Sequence, residues 1–242
     1  LFNPNDFSDF TCSRVSHFER FARAGLDREF FGSPRSPDTC SLKNYQDLLV
    51  LAFIRQFVPP GTPILEVGGG NSRIIRHLKA EYDCWNLDKL EGIGQGPVEI
   101  DTEGFHLVKD YIGGFSKELP DNHFDFVFSI SALEHVPDKD PGIFPRIRDD
   151  LNRVLRPGCY SLHCFDSIIK PDRLWINQLL VYLFQHEQTL NPFIPYESLR
   201  IAPDVFALPE FLYNKRWLPL TRKPYNDFGR PISINILWRK PE

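Results

Sequence analysis

The sequence predicts an α/β fold built on a doubly wound, mostly parallel sheet, on three observations. Short apolar runs at 63–67, 83–87, 107–111, 124–130 and 160–165 alternate with stretches of helical periodicity. The first run enters Gly68-Gly69-Gly70 and passes directly into a helical pattern, the order of strand, tight turn and helix that βαβ units use. The chain has 242 residues, 42% hydrophobic and 25% charged, enough to bury one full core.

Residues 1–41 are rich in Phe, Arg, Ser and Pro, with a short helix expected around Ser16 to Ala24. We read them as a lid or substrate-side extension, and 42–242 as the catalytic domain. A helix from Leu42 to Val58 must stop at Pro59-Pro60-Gly61, because proline cannot continue it and glycine permits the turn that follows. Ile64, Leu65 and Val67 then form a strand, and Ile74, Ile75 and Leu78 mark a helix over 72–81. Strands follow at Asp83 to Leu87, Leu107 to Tyr111, Phe124 to Ile130 and Tyr160 to Phe165. A helix from Ile143 to Leu155 carries Ile143, Ile147, Leu151 and Val154 on one face. Residues 166–215 break the alternation as a substrate-side insert, helical through Trp175, Leu179 and Leu183 and then Pro- and aromatic-rich. Trp217 to Arg222 and Ile232 to Trp238 have β character and are expected to form a hairpin, with Pro224, Asn226, Asp227 and Gly229 in its loop.

Composition narrows the classes of partner. A net charge of −4 and a pI near 6.0 disfavour nucleic acid, which usually demands a concentrated excess of Lys and Arg. Five cysteines (Cys12, Cys40, Cys84, Cys159, Cys164) without a C-x-x-C pair suggest neither a disulfide framework nor a metal site, and fit a reducing, cytoplasmic setting. The longest apolar stretches, Leu48 to Phe53 and Leu179 to Phe184, fall short of the roughly 20 residues a membrane span needs, and no signal peptide is read at the start, so a soluble protein is expected. The absence of Met and the start at Leu1 fit a segment of a longer chain or the loss of modified methionines.

The chemistry gathers first at Glu66-Val67-Gly68-Gly69-Gly70-Asn71-Ser72. Glycines there let a ligand approach the backbone, and the following helix offers free N–H groups. Asp88 closes the next strand, placed to accept both hydroxyl hydrogens of a ribose. An NAD site wants a small residue at the third glycine position for close helix packing; Arg73 stands there, which favours a single adenosine over a dinucleotide.

These blocks, with three others in order, resemble the class I S-adenosylmethionine-dependent methyltransferases from about Leu42 onward. Ile64 to Gly70 resembles the family's first motif, and Leu119 to Val136 (LPDNHFDFVFSISALEHV) its fourth-strand block. Arg153-Val154-Leu155-Arg156-Pro157-Gly158 resembles the turn before its fifth strand; Cys159 departs from the glycine customary there. The resemblance implies a seven-stranded sheet with an antiparallel last strand, and S-adenosylmethionine as cofactor. It further implies that Gly68, Gly69, Gly70 and Asn71 lie against the methionine part, that Glu66 orients its amino group and that Asp88 holds the ribose. Asp110 and Tyr111 would flank the adenine, with Asp101 the rival, because Gly113-Gly114 lengthens the loop that follows. Ser129, Ile130 and Ser131 would line the pocket by backbone contacts, and Leu133 to His135 would border the methyl group.

Methyl transfer needs alignment of nucleophile and methyl, plus a base where the nucleophile carries a proton. His135, after the fourth strand, is the candidate base, with pocket lining its alternative; imidazole titrates near neutral pH. His163, near the end of the fifth strand, is a second catalytic candidate unless strand alternation turns it into a helix interface, and Asp166 shares that edge. His186 reads as a surface residue. Phe18, Phe21, Phe30 and Phe31, with Trp175, Tyr182, Phe184, Phe193 and Tyr196, would form an apolar substrate cap, close the core or make a homodimer contact. The strand-four sequence lacks the Asn/Asp-Pro-Pro-Tyr/Phe of amino-methylating nucleic-acid enzymes, and no Pro-Cys pair serves cytosine attack, so the expected acceptor is a small molecule methylated on O or N, with a protein substrate the open alternative. A cofactor-binding but inactive domain and an NAD(P)-linked oxidoreductase are the competing readings.

Overall fold

The computed structural model describes residues 3, 7–92, 96–137, 139–140 and 142–242. Ten helices among them run α1 (Val15–Arg23), α2 (Leu26–Phe31), α3 (Leu42–Phe57), α4 (Arg73–Leu78), α5 (Ile143–Val154), α6 (Gln178–His186), α7 (Tyr196–Ile201), α8 (Glu210–Arg216), α9 (Leu218–Thr221) and α10 (Tyr225–Phe228). Seven strands, β1 (Pro63–Val67), β2 (Asp83–Leu87), β3 (His106–Val108), β4 (Phe124–Ile130), β5 (Leu155–Ile169), β6 (Leu174–Trp175) and β7 (Arg230–Arg239), form one sheet.

The first five strands are parallel in the order β3-β2-β1-β4-β5, so the chain winds outward one way from β1 and then returns to start β4 on its other side. Strands buried on both faces need no polar alternation, which is why β4 reads as the near-continuous apolar run FDFVFSI. The last strand, β7, is antiparallel as expected and pairs directly with β5 from Tyr160↔Arg239 to Ile169↔Arg230. β6 is a two-residue antiparallel extension against the end of β5.

Each face of the sheet has its own apolar layer. On one, α3 and α4 pack with Ile64, Phe126, Phe128, Leu162 and Leu237. On the other, α5 and α6 cover Leu65, Val67, Val127, Phe165 and Trp238. α3 starts cleanly because Ser41 and Asn44 form a reciprocal capping box.

Two expectations change. Trp217 to Arg222 is not a strand: α8 ends at Arg216 and α9 follows, because Pro219 supplies no ladder N–H yet fits a helix's first turn. No hairpin therefore precedes β7. Trp175 lies in β6, and the helix begins only after Asn177, whose side chain caps Leu179 N at 2.8 Å. Of the alternatives open for the N-terminal aromatics, Phe18 and Phe21 take core closure. Phe7, Phe10, Phe18 and Phe21 are buried in the α3 layer, and Cys12 bridges Ile234 of β7. Residues 1, 2 and 4–6 of that extension lie outside the described residues.

Candidate active site

The carboxyl ends of β1, β2 and β4 meet where the strand order reverses, the crevice in which open α/β sheets hold ligands. After β1, Gly68 and Gly70 adopt φ of +69° and +49°. A Cβ at Gly68 would stand 2.5 Å from that of Ala132, and one at Gly69 would stand 2.7 Å from Asn86 Oδ1. Side chains would fill this cradle, and Asn86 Oδ1 is itself buried without a hydrogen-bond partner. The turn is thus shaped for close approach of a ligand to its backbone.

Asp88 follows β2 and faces the turn. Its two oxygens accept from Gly70 N at 2.8 Å and Leu90 N at 2.7 Å, which fixes the carboxylate while leaving lone pairs for hydroxyl donors. Glu66, 4% exposed at the end of β1, accepts from Ser72 Oγ, which in turn caps α4 at Ile75 N. Burial pushes the Glu66 carboxyl up to about 7, against the pull of the Ser72 hydrogen bond. Arg73, the residue that argued against a dinucleotide, grips the buried Asp47 of α3 through two bonds of 2.7 and 2.9 Å. Asn71 is exposed and accepts from Arg76.

Asp110 stands two residues beyond β3, at the same edge, and its Oδ1 accepts from Tyr111 N at 2.8 Å. Tyr111 is 48% exposed and its hydroxyl donates to Glu91. Asp101 precedes β3 and its carboxylate accepts from Glu103 N, so it does not reach this edge through that strand.

Beyond β4, the buried Ser131 has φ +45° and donates its backbone N–H to Cys164 O at 3.0 Å. Its hydroxyl lies 2.7 Å from Gln46 Oε1 and 2.9 Å from Asp166 Oδ1. Gln46 Nε2 donates to Asp166 Oδ1 and to Ser233 Oγ, both at 3.0 Å. One face of α3 therefore presents Lys43, Gln46 and Asp47 to this edge. Glu134 faces the same group: its Oε2 is buried and unpartnered, and burial together with the charge of Asp166 holds its carboxyl well above the usual range. Asp166 is also raised, mainly by burial. Both carboxyls thus hold a proton more tightly than exposed ones would.

The two candidate histidines part company. His135 is exposed beside this cluster, and burial of part of its ring, with Lys43 nearby, lowers its pKa despite the pull of Asp166. It is available as a neutral imidazole. His163 is not at the site: alternation along β5 turns it to the α5 and α6 face, fully buried and stacked on Trp238 at 5.0 Å. Its nitrogens engage Ser129 Oγ and Ser161 Oγ at 2.8 Å each, and burial lowers its pKa to about 3. The catalytic expectation for His163 is therefore corrected. The side chain of Ser129 turns away with it, and Ile130 is buried toward α3, so these two can offer the crevice only backbone.

Residues 65–162 match a protein family described as methyltransferase domain. The chain is 33% identical over 107 residues to a sterol 24-C-methyltransferase of Gibberella zeae, covering 42% of this chain and 27% of that protein. It is likewise 33% identical over 110 residues to a 2-methyl-6-phytyl-1,4-hydroquinone methyltransferase of Synechocystis, covering 42% and 31%. Each match thus spans less than a third of the relative's length. Among solved structures, a candidate sarcosine dimethylglycine methyltransferase from Galdieria sulphuraria superposes with a TM-score of 0.50 at 17% identity, over 82% of this chain and 86% of that one.

Proposed function

We propose, for a chain whose residues 65–162 match the methyltransferase-domain family, transfer of a methyl group from S-adenosylmethionine to an oxygen or nitrogen of a small-molecule acceptor. The observation that carries this reading is the convergence, on one sheet edge, of the glycine cradle, Asp88 and the protonatable set Glu134, His135 and Asp166. The cofactor would supply an activated methyl on a sulfonium; everything else falls to the protein. Gly68, Gly69 and Gly70 would admit the amino-acid part against the backbone, with Glu66 and Asn71 near its amino and carboxylate groups. Asp88 would accept from the ribose hydroxyls, and Asp110 and Tyr111 would border the base. Ser129, Ile130 and Ser131 would contribute main-chain contacts.

On the acceptor side, His135 would take the nucleophile's proton, with the Glu134 and Asp166 carboxyls setting the charge around it. Residues 1–41 and 166–215 would bound this side of the crevice. The substrates in the relatives' names, a sterol and a hydroquinone, support a small acceptor, and a net charge of −4 supports it over nucleic acid. The five free cysteines, four of them buried, support a reducing cytoplasmic setting.

Calorimetric titration with S-adenosylhomocysteine, beside NAD and beside Asp88→Ala, tests the reading. The expected result is binding of S-adenosylhomocysteine alone, weakened at least tenfold in the variant, about 1.4 kcal/mol or more. Binding of NAD instead, or of neither ligand, overturns the cofactor assignment.

A further inference from the structure

A second concavity, of about 260 Å³, opens where the insert meets the ends of β5 and β7. It is bordered by Lys170, Arg200 and Arg230, by the rings of Tyr196 and Tyr225, and by Asn226; no Asp or Glu lines it. Its volume lies just below the roughly 300–1,000 Å³ of typical small-molecule pockets, enough for a head group and the start of its body.

The charges of this cavity are poorly answered by the protein. The Arg230 guanidinium has no hydrogen bond or ion pair among the described residues. Arg200 reaches only Glu197, at 3.3 Å, and both are exposed. Lys170 donates to Phe228 O at 2.8 Å and sits 5.1 Å from that ring's centre, which leaves two of its protons unassigned. Burial first, then Lys223 and Arg173, lower the Lys170 pKa, and Asp172, which pulls the other way, is paired to Arg173 at 2.7 Å. The walls are fixed independently of any ligand. Tyr196 Oη donates toward Lys170 O and Pro171 O, Tyr225 Oη donates to Leu208 O, and Gly229 holds φ +106°, where a Cβ would stand 2.7 Å from Ile169 O.

Along β5, Ile169 stands three residues past Asp166, so by strand alternation Ile169 and its partner Arg230 face the α5 and α6 side of the sheet, opposite Asp166. We infer that this cavity binds an organic phosphate or carboxylate, at a site separate from the methyl-transfer crevice. Guanidinium forks suit either oxyanion, and two fixed phenol rings suit an apolar or aromatic body attached to it.

The test is ¹⁵N NMR titration of the full chain with phenyl phosphate, benzoate and inorganic phosphate, with S-adenosylhomocysteine binding measured on the same samples. The aryl anions should shift the Asn226 and Gly229 amides saturably. Arg230→Gln should weaken them at least tenfold, while Lys117→Gln, a neutralised exposed lysine outside the cavity, should not. Arg200→Gln repeats the loss independently should Arg230→Gln fold poorly. Unmoved amides, or affinity unchanged in both arginine variants, overturn the proposal. So does inorganic phosphate binding as tightly as phenyl phosphate, which would make this a free-phosphate site. Failure of the methyltransferase reading shows separately, as no S-adenosylhomocysteine binding by the unaltered chain.

Discussion

At Glu66 the sequence placed a carboxylate beside the glycine turn, but its proton is set by burial that sequence alone does not report. The folded chain raises this group from an ordinary 4.5 to about 7, so the native state holds a proton that the unfolded chain has released. The resulting stabilisation is complete below about pH 4.5, decays as pH rises toward 7, and changes no further above that. Glu66→Gln stays neutral throughout, so its stability relative to the parent should improve by on the order of 2–3 kcal/mol between about pH 5 and 7.5. Urea unfolding at those two values measures the difference, and an unchanged gap would mean that Glu66 titrates normally. Asp88, Gly68 and Gly70 were legible because backbone conformation and strand-end position demand those residue types locally. Gln46 and Asp47 were not, because their roles depend on α3 crossing to Ser131 and Arg73, a contact between segments far apart in sequence. For His163 the period of β5 gives two faces without saying which one holds the ligand, and the structure takes the helix-interface alternative.

At the scale of elements, β1, β2, β4 and α5 follow their apolar periods closely, since each period is imposed by one uniform environment. The segment between β5 and β7 was less legible. Its short helices are set by proline positions and by aromatic contacts such as Tyr213 against Phe228 at 5.3 Å, which local pattern does not encode. α3 carries Lys43, Gln46 and Asp47 of the candidate site within its first two turns. Its start depends on Ser41, whose hydroxyl accepts from Asn44 N at 3.3 Å. Ser41→Ala should therefore cost about 1 kcal/mol of global stability. The same change should speed amide exchange at Lys43 to Gln46 more than at Phe53. Hydrogen exchange read by mass spectrometry gives both answers, and uniform acceleration along α3 would show that the cap does not act locally.

Across the whole molecule, the N-terminal segment, the insert and β7 form one connected body around the site rather than additions to a finished domain. Ser13 N donates to Ser233 O, Phe206 N donates to Ser13 O, and Asn235 Nδ2 reaches Phe10 O at 2.7 Å. Asn235 Oδ1 in turn accepts from Ser233, which binds Gln46 of the candidate site. A chain of hydrogen bonds thus runs from residue 10 to the acceptor side of the crevice. Beside it, Phe21 is fully buried among Phe10, Phe18 and Tyr45, with ring centres 5.8–6.4 Å apart. A detachable lid would give up such a ring for less than about 1 kcal/mol, as surface changes do. A core ring costs about 3–5 kcal/mol when cut to alanine, through lost burial and the cavity it leaves. Phe21→Ala should fall in the second range in urea unfolding, with one cooperative transition and the parent's m-value. A loss under about 1 kcal/mol, or an early separate transition, would mean that the N-terminal segment folds apart from the sheet and is free to open over the site.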